Sequence, residues 1–448
     1  MPAMTAASRG SPRGMVFVAL ASYALAFSVR LAWIFHVQSP FDAVSSDMAG
    51  YVDRAERLLW HLPSGDPRLL TLYPPGHHMI LAAEFYLLGR HARTAISVAH
   101  ALVGAVPAAF APPLAYRLAR SPWLAAAAGI AVALWEPQVC FVGFFMTEIW
   151  FSALIAAHAW LTSRDARCPF EPFATGLVSI AAIVVRPQFL LTWALETGAR
   201  SALLSWRRGL RVGSRAAVWL AIPVVLGLAA TSVRYHGLAG HWGLVSTSAI
   251  NRIWADTDVC ELQANWVAPN GDAINFWFNP PSKPPQKPSD TVRFSGYIAD
   301  PDILEALHRE RTRGLTLSDR VRRKLHNVQL LLVDNLPWPE SEHPGDRVFF
   351  GPTAHRGPGI TRMRLQEIFR DVLRIAVLPW AVVGLALARP GAAKRVMAEN
   401  LLTPVVAAAF FFGEARYHVP YDPFLIVLAL AGAYETVQRM PAIFRRSG

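Results

Sequence analysis

An arginine and a histidine stand at the mouth of two long apolar runs, in the stretch Gly413-Glu414-Ala415-Arg416-Tyr417-His418-Val419-Pro420-Tyr421. Arginine at the centre of a membrane helix costs roughly 2.5 to 3.5 kcal/mol on insertion scales and less at the interface, so Arg416 is expected to face an anionic partner. Fixed positive charge of this kind, with His418 beside it, would stabilise a departing phosphate. The competing use is an arginine that snorkels to the interface; Tyr417, Pro420 and Pro423 make a rigid, shaped turn and favour function. A second polar cluster, Ser45-Ser46-Asp47-Met48-Ala49-Gly50-Tyr51, follows the first apolar run. On a helix Asp47 and Tyr51 share a face. A carboxylate there can take the proton of an acceptor hydroxyl as its oxygen attacks an anomeric carbon. Ser45, Ser46 and Asp47 are equally good helix caps, which is the bland use of the same residues. Together the two clusters point to chemistry on a lipid-linked phosphate at a membrane surface.

Other polar residues are read more cautiously against their surroundings. Glu148, in Phe145-Met146-Thr147-Glu148-Ile149, opens an apolar helix, where an acid complements the positive helix end. Arg186, in Val184-Val185-Arg186-Pro187-Gln188, lies between two apolar runs, where an unpaired arginine is unexpected. His77 and His78 are adjacent and cannot meet one metal as an i, i+4 pair would. Cys140, Cys168 and Cys260 are scattered without metal-type spacing, so neither a zinc site nor a disulfide framework is expected. Trp33, Trp60, Trp150 and Trp380 fit interfacial belts.

These side chains need elements to hold them. At 448 residues, 53% hydrophobic and 17% charged, with a mean hydropathy of +0.29, the chain is too apolar for a soluble protein and reads as an all-α polytopic membrane protein. Its net charge of +12 then marks cytoplasmic loops rather than a nucleic-acid surface. Runs long enough to span, about 17 to 25 residues with tilt, occur near 15–36, 94–116, 122–140, 147–162, 172–186, 188–204, 216–233, 371–388, 397–413 and 421–438, about ten in all. The first follows Arg9 and Arg13 and is read as a retained anchor rather than a signal peptide. With both termini in the cytoplasm, the basic clusters Arg117/Arg120, Arg164/Arg167, Arg200 to Arg215, Arg389/Lys394/Arg395 and Arg439/Arg445/Arg446 all fall inside. Counting Tyr73 to Gly89 as a further span would reverse the later loops, so it is read as an interfacial or re-entrant helix.

This topology divides the chain into an N-terminal membrane module 1–233 that includes a first outer loop 37–93, a larger mixed outer segment 234–370 over a cleft, and C-terminal membrane helices 371–448. Asp47, Glu148, Arg186, Arg416 and His418 then share one face. The outer segment holds Trp242, Trp254, Trp266, Trp277 and Trp338, enough aromatic surface to bury. Within it, Phe278 to Pro288 is extended or polyproline-like. Asp300-Pro301 starts one helix, and Leu317-Ser318-Asp319 opens another on which Val321, Leu325, Val328 and Leu332 share a face.

The arrangement resembles the GT-C superfamily of integral-membrane glycosyltransferases, nearest to the bacterial protein O-mannosyltransferase-like group with its lipid A aminoarabinose transferases. The resemblance covers most of the chain outside 234–370. It is carried by Asp47 preceding Tyr51 in the first outer loop, Tyr73-Pro74-Pro75, Thr147-Glu148, and Arg416-Tyr417-His418-Val419-Pro420. The family often has a second acid beside the first; here Met48 takes that place, and Asp53 or Glu56 could substitute.

What the resemblance implies is an inverting transfer of a sugar from a polyprenyl-phosphate donor to a glycan, lipid or protein acceptor on the periplasmic face of the cell inner membrane, as part of cell-envelope glycosylation. It implies no nucleotide sugar and no resident cofactor, and often no essential metal. Asp47 maps to the base, Glu148 to a second acid and Arg416 to carrier-phosphate binding, with Arg186 and His418 added on topology. Tyr51, Tyr73 and Tyr417 are expected to line the substrate. An O-antigen ligase or polymerase using a pyrophosphate-linked glycan is the alternative enzyme. A lipid-linked sugar flippase is the alternative class; it calls for polar residues through the bilayer midplane and for repeat symmetry, whereas the charges here are expected at the surfaces.

Overall fold

The computed structural model describes residues 12–42, 44, 46–60, 66–164, 170–268, 271–280, 285–333 and 359–444. Arg9, Ser45, Arg167, Cys168, Trp338, Arg445, Arg446 and the middle of the 278–288 proline run lie outside them. The first half is helical: α1 (Pro12–His36), α2 (Ser46–Trp60), α3 (Pro75–Leu88), α4 (Arg93–Ala119), α5 (Pro122–Ala133), α6 (Glu136–Cys140), α7 (Thr147–Thr162), α8 (Phe170–Val185), α9 (Phe189–Arg208) and α10 (Leu210–Ala239). Proline at the first helical positions of α3 and α5 fixes φ where no intrahelical donor is needed. Gly209, at φ +91°, turns α9 into α10.

Among the described residues, three helices are long and apolar enough to cross a membrane: Arg13–His36, Arg93–Ala119 and Leu210–Ala239. A fourth crossing exists if Pro122–Ala133 and Glu136–Gly143, bent by 52°, make one span. The 122–140 run is therefore broken rather than straight, with Pro137 in the first turn after the break. That break frees the Ala133 carbonyl, and the fully buried Arg30 of α1 donates to it at 3.1 Å and to Ala26 at 3.1 Å. The helix from Tyr73 onward is short, as expected: α3 has 14 residues, about 21 Å at 1.5 Å per residue, against a hydrocarbon core of about 30 Å.

Charge is also buried inside the protein. Besides Arg30, Glu196 of α9 is fully buried and takes two bonds from Arg395 at 3.0 and 3.1 Å. Arg395 belongs to α16 (Ala392–Phe411), which follows α14 (Gly359–Val372), a π turn (Leu373–Val377) and α15 (Leu378–Leu387) and precedes α17 (Asp422–Phe444).

The segment that follows α10 is mixed, as expected. It contains α11 (Thr247–Asp256), a three-stranded sheet, α12 (Pro301–Thr312) and α13 (Leu317–Val333). In the sheet β1 (Glu261–Val267) is central, antiparallel to β2 (Ala273–Phe278) and parallel to β3 (Thr291–Ser295). Alternation puts Leu262, Ala264 and Trp266 inward. Asp300 caps α12, accepting from the Asp302 and Ile303 amides. The expected boundaries of this segment move. Hydropathy falls at Arg234, but α10 runs on to Gly240, whose φ of +75° ends it, and 370/371 falls inside a helix continuous from 359 to 387.

One apolar core joins this segment to the stretch between α1 and α4: Met48, Tyr51, Leu72, Tyr73, Phe145, Trp254, Trp266 and Tyr297 belong to it. Backbone bonds tie the two directly, Ser246 N–H to Thr71 O at 2.9 Å and Thr247 N–H to Leu72 O at 3.2 Å, and the Tyr297 hydroxyl donates to Arg68 O at 2.9 Å. Trp254 and Trp266 are buried here, whereas Trp242 and Trp277 stay exposed.

Candidate active site

Asp47 sits in the first turn of α2, at the start of a helix whose amphipathic pattern turns Met48, Tyr51 and Ala55 into the core. Its carboxylate does not cap that helix. Oδ1 accepts from the Tyr73 hydroxyl at 2.6 Å and Oδ2 from Arg416 Nη2 at 3.0 Å. Burial holds the Tyr73 phenol well above its ordinary range, so it remains a proton donor to Asp47. Tyr51 packs its ring on Tyr73 and, edge to face, on His77, with centroids 5.0 and 4.6 Å apart.

Arg416 is delivered by an irregular connection between α16 and α17. Phe412 adopts φ 148°, a region rarely open to any residue but glycine. It is held there by burial and by an edge contact with Trp254 at 5.9 Å. Gly413 follows against α13, so close that a Cβ would lie 1.7 Å from the Asn327 carbonyl oxygen. Two short 3-10 turns, Ala415–Tyr417 and Val419–Tyr421, then send successive side chains different ways. Gly413→Ala is accordingly expected to destabilise by about 1 to 3 kcal/mol through overpacking and to misplace Arg416. Thermal unfolding in detergent checks this; an unchanged melting temperature would show that α13 can yield.

A second ion pair stands beside the first. Arg186, in the turn between α8 and α9, donates from Nη2 to Glu148 Oε1 at 2.5 Å and from Nε to the Thr147 hydroxyl at 2.8 Å. The Tyr417 ring is shared by the two guanidiniums, 5.4 Å from that of Arg186 and 5.3 Å from that of Arg416, a doubled cation–π contact. Glu414 completes the group, with Oε1 3.1 Å from Arg416 Nε. That pair is close without the alignment of a hydrogen bond. Burial, reinforced by Asp47 and Glu148 and opposed by Arg416 and Arg186, pushes the Glu414 carboxyl up to about 7. The side chains of Asp47 and Arg416 keep 16% and 12% of their surface, so the cluster is partly open.

The structure thus brings Asp47, Tyr73, Glu148, Arg186, Arg416 and Tyr417 into one cluster, with Tyr51 beneath it. His418 points elsewhere: its Nδ1 pairs with Asp422 Oδ1 at 2.7 Å, and Asp422 Oδ2 accepts from Trp135 Nε1 at 2.7 Å. This ties the loop to α6 and α17. Asp53 and Glu56 lie apart from these contacts, paired with Arg57 at 2.8 Å and Arg90 at 2.7 Å. Glu414 does supply a further acid, and sequence reasoning passed over it. Thr147, as a bond to Arg186, was also missed. Cys140 and Cys260 are buried, with their thiols directed to the Pro137 and Asp258 carbonyls, and no group of three or more His, Cys, Asp or Glu among the described residues could hold a metal ion.

No protein-family model and no curated protein matches this chain. Among solved structures it is similar to the archaeal oligosaccharyltransferase AglB from Archaeoglobus fulgidus, in complex with an inhibitory peptide and a dolichol-phosphate: 14% identity and a TM-score of 0.47, over 96% of this chain and 51% of that one. The chain spans about half the length of that protein. It is also similar to ArnT from Cupriavidus metallidurans bound to undecaprenyl phosphate, with 14% identity and a TM-score of 0.36 over 96% of this chain and 79% of that one.

Proposed function

We propose that this chain is a membrane glycosyltransferase of GT-C type that moves a sugar from a polyprenyl-phosphate donor to an acceptor at the extracytoplasmic face, with inversion. One observation carries the proposal: Asp47 and Arg416, 369 positions apart, meet in a partly open cluster that also holds Glu148 and Arg186. Two guanidiniums brought to one aromatic ring supply the paired positive charge that a phosphate takes. When the phosphate draws Arg416 away, Asp47 Oδ2 is released to accept the acceptor's proton. The acceptor oxygen forms a bond to the anomeric carbon as the bond to phosphate breaks. The arginines stabilise the charge that develops on the departing phosphate. Glu148 holds Arg186 in place, and the Tyr73 hydroxyl fixes the orientation of Asp47.

The proposal includes about ten spans with both termini cytoplasmic, an inner-membrane location, and the segment near 234–370 roofing the site and shaping the acceptor. A monophosphate donor is preferred over a pyrophosphate-linked one. A diazirine-bearing polyprenyl phosphate, photolysed with purified protein, is expected to label peptides containing Arg186 or residues 413–421, with free polyprenyl phosphate competing. Label confined to peptides distant from both would overturn the placement of the donor.

Tyr73→Phe removes the hydroxyl that fixes Asp47 while keeping the ring. It is expected to lower kcat by about 10-fold, the cost of roughly 1.4 kcal/mol of lost orientation, with little change in donor affinity. Steady-state kinetics would show instead a raised KM alone if Tyr73 served only to bind the donor.

A further inference from the structure

The cluster carries three carboxylates, Asp47, Glu148 and Glu414, against two guanidiniums, Arg186 and Arg416. Asp47 and Glu148 each have an aligned bond to an arginine and a hydroxyl partner. Glu414 has neither: it lies 3.1 Å from Arg416 Nε without an aligned hydrogen bond, and only 2% of its side chain is exposed. It is the surplus acid. An anionic headgroup would add another negative charge to a site already one arginine short. A buried charge left uncompensated is costly, and such groups neutralise instead.

We infer that Glu414 is the donor-binding residue that takes up a proton when the lipid phosphate enters, presenting a neutral carboxylic acid whose O–H donates to a phosphate oxygen. This rests on the proposed phosphate site. The proton comes from solvent on binding and returns to it on release, so no charge is left over.

The groups that act on Glu414 fit this assignment. Charged and titratable groups reach it from α2 (Asp47), α7 (Glu148), the α8–α9 turn (Arg186) and its own loop (Arg416 and Tyr417). From α13 it is Asn327 and Leu331, both neutral, that press on the adjoining Gly413. Lys324 of that helix is engaged with Asp256 and the Phe410 ring. Burial and the two neighbouring carboxylates already hold the Glu414 carboxyl at about 7 in the free site, so the proton is available near neutrality.

The test is binding of decaprenyl methyl phosphate, a diester with one charge that does not titrate near neutrality, to the full chain in nanodiscs from about pH 6 to about pH 9. Wild-type Kd is expected to be flat below about 7 and to rise about tenfold per pH unit above it. Glu414→Gln should bind with a flat profile throughout. Isothermal titration of the wild type in buffers of contrasting ionisation enthalpy should show uptake of nearly one proton at about pH 8, and this decides the matter if the variant does not fold. Identical profiles for the two proteins, or no proton uptake, would overturn the role of Glu414 and leave sugar transfer standing. Absence of binding at every pH would overturn both.

Discussion

Asp47→Asn is expected to lower sugar transfer by about 10²- to 10⁴-fold, the usual worth of a positioned general base, while the protein stays folded. Asparagine keeps the shape and can still accept from the Tyr73 hydroxyl, which bonds Asp47 Oδ1 at 2.6 Å. What it loses is the anionic oxygen now 3.0 Å from Arg416. Donor affinity should hold or improve, because Arg416 no longer has to leave a carboxylate to meet the phosphate. The expected signature is therefore a collapse in kcat without a rise in donor Kd. A parallel loss of donor binding would make Asp47 a structural partner of Arg416 and not the base.

Arg416→Ala is expected to be the most damaging single change to both stability and donor binding. Removing one partner of a buried ion pair costs about 3 to 5 kcal/mol, because it strands the other charge, and here Asp47 and Glu414 both lose their cation. Arg416→Lys separates the effects. An ammonium can neutralise one carboxylate but cannot fork between a carboxylate and a phosphate, so the fold should survive while transfer falls about 10²- to 10³-fold. A double-mutant cycle between Asp47→Asn and Arg416→Lys measures their coupling. Strict additivity in kcat would mean that the two residues do not act on the same step.

Much of this site is written locally in the chain. Asp47, Glu148, Arg186 and Arg416 stand out as charges beside apolar runs, and Tyr73 and Tyr417 as aromatics in proline-marked turns. Their pairing is not legible, because an ion pair between positions 47 and 416 depends on how α2 meets the connection between α16 and α17, which periodicity does not report. Glu414 is hidden for a related reason: an acid two residues before an arginine in an irregular turn has no helix or strand spacing that marks the two as partners. The spacing of His418 and Asp422, four apart at a helix start, carried a readable hint that the histidine was committed elsewhere. Hydropathy also located the helices better than their ends. It drops at Arg234 while α10 continues to Gly240, and it reads straight through the bend between α5 and α6, where Arg30 takes the freed carbonyl.

The most direct measurement is turnover by the purified protein in nanodiscs, supplied in turn with several polyprenyl-phosphate sugars and with membrane extract as acceptor source. Free polyprenyl phosphate is followed by mass spectrometry, with Asp47→Asn run alongside. Release from one donor, dependent on the extract and abolished in the variant, is the predicted result. Equal release by the variant, or release only from pyrophosphate-linked glycans, would contradict an aspartate-based transfer from a polyprenyl monophosphate.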